Sequence, residues 1–429
     1  MTITAQDDKI TLQSILIVRS KKPTLDLGGK NMMKQITLNT EHIGRMLVGV
    51  KTPIIQTGDP LIQIGINSCL KAAKHFHTNA VIAFTEAVVA IAQGNYASPE
   101  DIQADIARKF PGQSDITLLF PIQSRNRFMN IPRAIAAMDE IKRINIVLQY
   151  PCDEVGNRLI SDEALMASGV NPYEDIFTAS DLYQRFDKPN HIFTGKDYIK
   201  EFQLACNGKA NVVLANNPKS VCDMSKNVIV CTIREGKRKL HRQQIYQCGN
   251  DMRVFTLADI LNESINGSGY SPEYGLYGSN MMANGYLKLM PRDCQQFVEE
   301  VQAQIMKYYG VHVEVMVYGD GAFKDPVGEI WELADPIPTL GATSGLRGTP
   351  EEVKLKFLAS QHAGLSSAEI EKIIAKAKKE RIANADITGE ASLGTTPRQK
   401  TDILASAADL TSGSGDQQTP IVYMMGYLD

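Results

Sequence analysis

The sequence has no C-x-x-C pair, and its seven cysteines, at 69, 152, 206, 222, 231, 248 and 294, are scattered and odd in number. That argues against both a zinc ribbon and a disulfide framework, and for a reducing compartment. No apolar run reaches bilayer-spanning length, and the N-terminus lacks the basic-then-apolar layout of a secretory signal. A cytoplasmic protein with no membrane partner is expected. Excess charge is also missing: the net charge is −3, so neither nucleic acid nor an anionic membrane is an expected partner. The one dense basic run, Lys237-Arg238-Lys239 with Arg242, reads as a solvated helix face. Familiar catalytic signatures are absent too. The glycine-rich "TSGSGDQQTP" lacks the G-K-[ST] ending of a Walker A loop, and there is no G-x-S-x-G and no clear Cys–His pairing. His75 and His77 are two apart on an expected helix and would not face the same way.

What is present is an ordinary globular composition, 43% hydrophobic and 22% charged, over 429 residues, enough for two or three domains. Residues 1–45 read as an N-terminal extension with two short strand-like runs. Residues 46–158 form the first part of a core. "NAVIAFT" is a strand followed by the helical "EAVVAIAQG"; "SPEDIQADIARKF" opens a helix with Ser98 at N-cap and Pro99 at N1. "DITLLFPI" and "INIVLQY" read as further strands. Residues 159–295 have a different texture and are expected to be an inserted α/β domain, with "SINGSGYSPEYGLYGSN" as a long loop. Residues 296–429 return to the core, closing on the strand "TPIVYMMGY". The expected class is α+β with a mixed sheet.

Two places share one grammar, an apolar strand delivering a carboxylate at its carboxyl end. "INIVLQYPCDEVGN" delivers Asp153 and Glu154, with Gly156 and Asn157 after them; "VHVEVMVYGDGAFKD" delivers Asp320 between glycines, then Asp325. Rigid strand ends suit the tight coordination of Mg²⁺ or Mn²⁺, and flanking glycines let backbone N–H groups approach phosphate. Gly-Asp-Gly also suits a plain turn. On a late helix, Asp402 and Asp409 lie seven apart and share a face; Arg398 is an equally good surface partner for Asp402. The arginines of "SRNRF", Arg125 among them, can clamp an anion or lie on the surface. Spacing alone yields a divalent-metal site with phosphate contacts and no reaction.

Taken in order, the segments "VKTPIIQTGDPL", "AVIAFTEAVVAIAQGNYAS", "FPIQSRNRF", "YPCDEVGN", "GSGYSPEYGLYGSN", "VEVMVYGDGAFKDPVGEIWELADP" and "GTTPRQKTDILASAADLTSGSG" resemble the coenzyme F420-0:L-glutamate ligase (gamma-glutamyl ligase) family, in its long bacterial branch. The resemblance implies a GTP- or ATP-dependent amide ligase using Mg²⁺ or Mn²⁺, with L-glutamate and a small carboxylate acceptor as substrates, acting through an acyl phosphate. It implies a homodimer and an F420-0:gamma-glutamyl ligase-like core carrying the inserted domain. Carried over residue by residue, it puts metal and catalysis at Asp153 and Asp320, with Gly321 contributing only backbone and Asp402 as a third metal candidate. Nucleotide contacts fall at Pro53, Ile54, Thr85, Glu86 and Asn157. One departure stands out: Ile91 occupies the place of a basic residue, so Arg125 or Lys324 would have to substitute, or the nucleotide role has drifted. Folate-type polyglutamylation, metal-dependent phosphohydrolysis and a non-catalytic nucleotide-binding role remain the alternatives.

Overall fold

A computed structural model describes residues 43–123, 128–319, 325–330, 339–348, 360–384, 399–413 and 417–428. Arg125, Asp320, Gly321 and Lys324, four of the expected site residues, lie outside the described residues, as does nearly all of the expected extension 1–45.

The first sheet has the order β1 (Met46–Val50), β14 (Ile421–Met425), β2 (Val81–Thr85), β12 (Glu314–Tyr318), β13 (Thr339–Ala342). Its central pair, β2 and β12, is parallel, with Val81 opposite Glu314 and Thr85 opposite Tyr318. A parallel pair needs cover on both faces, and VIAFT and EVMVY are buried at almost every position. Alternation sends Ile82, Phe84, Val315 and Val317 to one face, against helix α1 (Leu61–Ala73) and the helix Cys294–Tyr309. Val81, Ala83, Met316 and Tyr318 point the other way, under Leu404, Ala405 and Ala408 of the helix Lys400–Thr411. Gly65 lets α1 lie directly on the sheet, because a Cβ there would stand 2.6 Å from the Phe84 ring.

The second sheet has the order β6 (Phe177–Thr178), β7 (Ala210–Leu214), β5 (Arg143–Leu148), β4 (Asp115–Leu119), β8 (Asn227–Val230), β9 (Arg253–Thr256). All neighbours are parallel except the edge pair β6–β7. The chain enters at β4, winds through β5 and β7 to one side, then crosses to β8 and β9. This is a doubly wound order whose direction reverses between β4 and β8. Two apolar clusters cover its faces: Leu118, Ile146 and Ile229 belong to one, and Leu119, Val147, Val228 and Val230 to the other. The expected insert at 159–295 therefore begins too late, since β4 and β5 are central strands of the inserted sheet. Short buried strands of the two sheets have the same composition, and pairing alone assigns them. The α+β class with an inserted α/β unit stands.

The chain crosses between the units twice, and the crossings are tied together. β3 (Tyr96–Ala97) pairs antiparallel with β11 (Leu287–Lys288), which also pairs with β10 (Asn280–Met281). Buried Asn95 donates to the carbonyls of Tyr270 and Met290 at 3.0 and 2.7 Å and accepts from Tyr270 N–H at 2.9 Å. The expected long loop 264–280 is thus anchored at the junction.

Two expectations are corrected. Cys222 and Cys248 form a disulfide, with Cα atoms 5.9 Å apart, because the helix Glu235–Tyr246 folds back on the turn Pro218–Val221. His75 and His77 lie past the end of α1, and their ring centroids are 4.4 Å apart. Among the described residues no helix is long and apolar enough to cross a membrane.

His241, in the helix Glu235–Tyr246, packs edge-on to Phe120, and its Nδ1 lies 2.9 Å from Thr232 Oγ1. Burial, and secondarily Lys237, lower its pKa from 6.5 to about 4. The unfolded chain takes up this proton near pH 6.5 and the folded chain only near pH 4, so the stability is whole above pH 6.5 and falls as pH drops toward 4. The expected loss is about 2 kcal/mol, allowing for partial solvent access. Denaturant titrations across this window, compared with His241→Gln, should show the component vanish in the variant.

Candidate functional site

The carboxyl end of the β2–β12 pair is where a parallel arrangement gathers ligand contacts. Thr85 stands there opposite Tyr318, and Glu86 starts the helix α2 (Glu86–Ala92). The C-terminal loop clamps this end: Thr85 N–H donates to Pro420 O and Thr52 N–H to Gln418 O, both at 3.0 Å. The loop closes on itself through Gly413 N–H to Thr419 Oγ1 at 2.8 Å. Thr52 Oγ1 donates to Pro53 O at 2.8 Å, and the next residue, Ile54, is 73% exposed. Of the expected nucleotide contacts, Pro53, Ile54, Thr85 and Glu86 are therefore linked through one clamped strand end.

Tyr318 was not foreseen. It is buried at the last position of β12, and its hydroxyl lies among Ser412, Thr85 and Asp409 without a well-formed hydrogen bond to any described residue. Burial raises its pKa, and the Asp409 charge adds to the rise. An unpartnered buried hydroxyl costs about 1–3 kcal/mol, so a ligand atom that satisfies it recovers that energy. Asp402 and Asp409 share a helix face as expected, but seven residues separate them by about 10 Å along the axis. Asp409 lies toward Tyr318, whereas Asp402 is exposed at the other end of the helix, its pKa raised by partial burial.

Glu86 is buried and paired with Lys288, whose Nζ lies 2.6 Å from Oε1 and also contacts Oε2. Lys288 comes from β11, so this ion pair fastens the start of α2 to the junction between the units. Ile91 packs against the first core. The cation beside Glu86 thus arrives from 197 residues further along the chain than position 91. Its sequence signal is a lysine between two leucines, Leu287 and Leu289, in a short strand.

Asp153 and Asn157 occupy a different sheet end, that of β5 in the inserted unit. Asp153 is buried, and its carboxylate accepts from Gln123 N–H, Val155 N–H, Asn157 N–H and Asn157 Nδ2 at 2.7–3.0 Å. Burial raises its pKa, and these bonds work against the rise. Four donors use the four acceptor positions of a carboxylate. The expected catalytic and metal role of Asp153 would require this set to break; the geometry makes the residue the organiser of loop 153–157. Asn157 completes it by accepting from Tyr198 Oη at 3.0 Å. The two strand ends of the shared grammar are thus on separate sheets, joined by the turn 325–330. There Asp325 accepts from the N–H groups of Val327, Gly328 and Ile330. Gly156, at φ +98°, lies so close to this turn that a Cβ would stand 2.9 Å from Glu329 O. Among the described residues no three His, Cys, Asp or Glu side chains converge as a metal site.

Removing the cation alone leaves Glu86 charged and buried. Lys288→Met should cost about 3–5 kcal/mol, and Glu86→Gln/Lys288→Met should recover most of it. A double-mutant cycle in urea measures the coupling.

No curated protein matches the chain. The family model described as F420-0:Gamma-glutamyl ligase matches residues 49–426, from within β1 to just past β14. Because that match embraces the first sheet, the junction and the inserted unit together, the chain belongs to the F420-0:gamma-glutamyl ligase family, whose members are ligases forming carbon–nitrogen bonds.

Proposed function

We propose that the protein is a nucleotide- and divalent-metal-dependent amide ligase that adds L-glutamate, or a similar amine, to a small carboxylate acceptor. The observation that carries this reading is the Tyr318 hydroxyl, buried at the clamped end of β2 and β12 beside Ser412, Thr85 and Asp409 with no well-formed hydrogen bond among the described residues. The family's ligase chemistry supplies the reaction class.

In the proposed reaction an acceptor carboxylate oxygen bonds to the γ-phosphorus of GTP or ATP, and the nucleoside diphosphate leaves with the bond it held. The amine nitrogen then attacks the acyl carbon, loses a proton, and inorganic phosphate departs. Thr85, Pro53 and Ile54 border the nucleotide, Tyr318 donates its hydroxyl to a ligand oxygen, and Glu86 with Lys288 holds the start of α2. Asp320, two residues beyond Tyr318 in the chain, is the leading carboxylate for Mg²⁺ or Mn²⁺, with Gly321 backbone, Asp409 and the more distant Asp402 as further candidates. Asp153, its oxygens already taken, does not fit as a ligand. A bound divalent cation would offset charge on the transferring phosphoryl group. Arg125 and Lys324 are the further candidate anion contacts, and Asn157 supports the second strand end. The chain is proposed to work as a homodimer in the cytoplasm.

Phosphate release with GTP or ATP, Mg²⁺ or Mn²⁺ and a panel of carboxylates, with and without L-glutamate, tests the reading. Glutamate-dependent release, in step with amide product, is expected; release indifferent to glutamate would establish hydrolysis instead. Asp320→Asn should abolish metal-dependent nucleotide binding with the fold intact.

Tyr318→Phe separates ligand contact from packing. It removes a hydroxyl with no well-formed hydrogen bond among the described residues, so the free protein should gain about 1 kcal/mol in stability while nucleotide affinity falls roughly tenfold. Thermal melts and calorimetric titration read the two effects; equal affinity in the variant would remove Tyr318 from the site.

A further inference from the structure

The turn 325–330 does more than join the two strand ends. Between it, the Asp153 loop and the segment 186–192 lies a cavity of about 410 Å³. This is the size of a small-molecule site, in a setting between structural units where such sites form. The turn lies flat on the inserted unit: a Cβ on Gly328 would stand 2.7 Å from Ile192 and 3.1 Å from Phe193.

Two properties of the lining decide what it can hold. Its mouth is apolar and open to water, with Val327 70% and Ile192 57% exposed, and Phe193 beside them at 58%. Phe186 and Tyr198 add aromatic surface within. Exposed apolar side chains around a cavity favour a ligand with a flat or apolar body. The charged lining is balanced, with Arg158 and Lys188 against Asp187 and Glu329. Balance disfavours a polyphosphate, whose several negative charges would meet two carboxylates. A single carboxylate can reach Lys188, which forms no ion pair among the described residues, while Arg158 is already engaged with Asp162 at 2.6 Å.

We infer that this cavity holds the body of the carboxylate acceptor, a small aromatic or apolar molecule with two carboxylates, one anchored at the Lys188 side and the other left free to react. The assignment rests on the ligase reading for the word acceptor, but the binding chemistry stands on the cavity. It anchors the acceptor's body between the turn 325–330 and the inserted unit, while the nucleotide binds at the β2–β12 end and only the free carboxylate meets it.

The test uses the full chain and 4-aminobenzoyl-L-glutamate as probe, with its bis-amide as the uncharged control, in calorimetric titration without nucleotide. Saturable binding of the acid, weaker for the bis-amide, is expected. Lys188→Glu should weaken the acid at least tenfold and leave the bis-amide unchanged, whereas Ile192→Asp should weaken both. Both side chains are exposed, so melting temperature and nucleotide affinity should stay at the wild-type values. Absence of probe binding to the wild type, or binding that both variants preserve, overturns the assignment. Should an acceptor support glutamate-dependent phosphate release with KM unchanged in both variants, the ligase reading survives and the cavity assignment falls. Should the predicted binding losses appear while no acceptor supports glutamate-dependent release, the cavity assignment survives and the ligase reading falls.

Discussion

Five residues of parallel pairing between β2 and β12 hold the rest of this structure in place. A parallel pair has no hairpin to fix its register, so the register must come from burial on both faces. Here one face meets α1 and the helix Cys294–Tyr309, and the other meets the helix Lys400–Thr411. A slip of one residue would exchange the two sets of side chains, sending the Phe84 ring away from Gly65. Because the register holds, Thr85 and Tyr318 end side by side, and Thr85 is hydrogen-bonded to Pro420.

The inserted unit is coupled to that pair by polar contacts that permit little slack. β3 and β11 bring entry and exit together, Asn95 fills the hydrogen-bonding positions between them, and Lys288 carries the connection on to Glu86. A buried ion pair is a weak source of stability in itself, since desolvation offsets most of the attraction. Its effect is geometric: the first residue of α2 cannot shift relative to β11 without stranding a charge. The turn 325–330 forms a second bridge, with Asp325 ordering its amides and Gly156 admitting it against the loop 153–157. A cavity bounded by both units follows from these two attachments.

The carboxylates illustrate how position in a fold separates chemical roles that look alike. Asp153 and Asp409 are both acids near strand ends, yet one is encircled by four N–H donors and the other faces an unpartnered tyrosine hydroxyl. The first arrangement consumes the acceptor capacity of the carboxylate in shaping a loop. The second places a poorly satisfied tyrosine hydroxyl at the carboxyl end of the parallel pair, and for this reason the β2–β12 end carries the functional reading.

Local pattern was sufficient for much of this protein. The Ser98–Pro99 helix start, the buried strands VIAFT and EVMVY and the closing strand at 421–425 follow from capping preference and apolar runs, which are properties of neighbouring residues. The same apolar runs marked the strand ends before Asp153 and Asp320 as places for a carboxylate, whereas 53–54 and 85–86 were singled out by the family resemblance. Tertiary structure alone decided which sheet received β4 and β5, that Cys222 meets Cys248, and that Lys288 is the cation at Glu86. Each is a contact between residues distant in sequence, and a strand's composition records that it is buried without recording its partner. Asp153 shows the same limit at short range: its sequence context announced a carboxylate at a strand end, and only the placement of four surrounding N–H groups assigned that carboxylate to the loop.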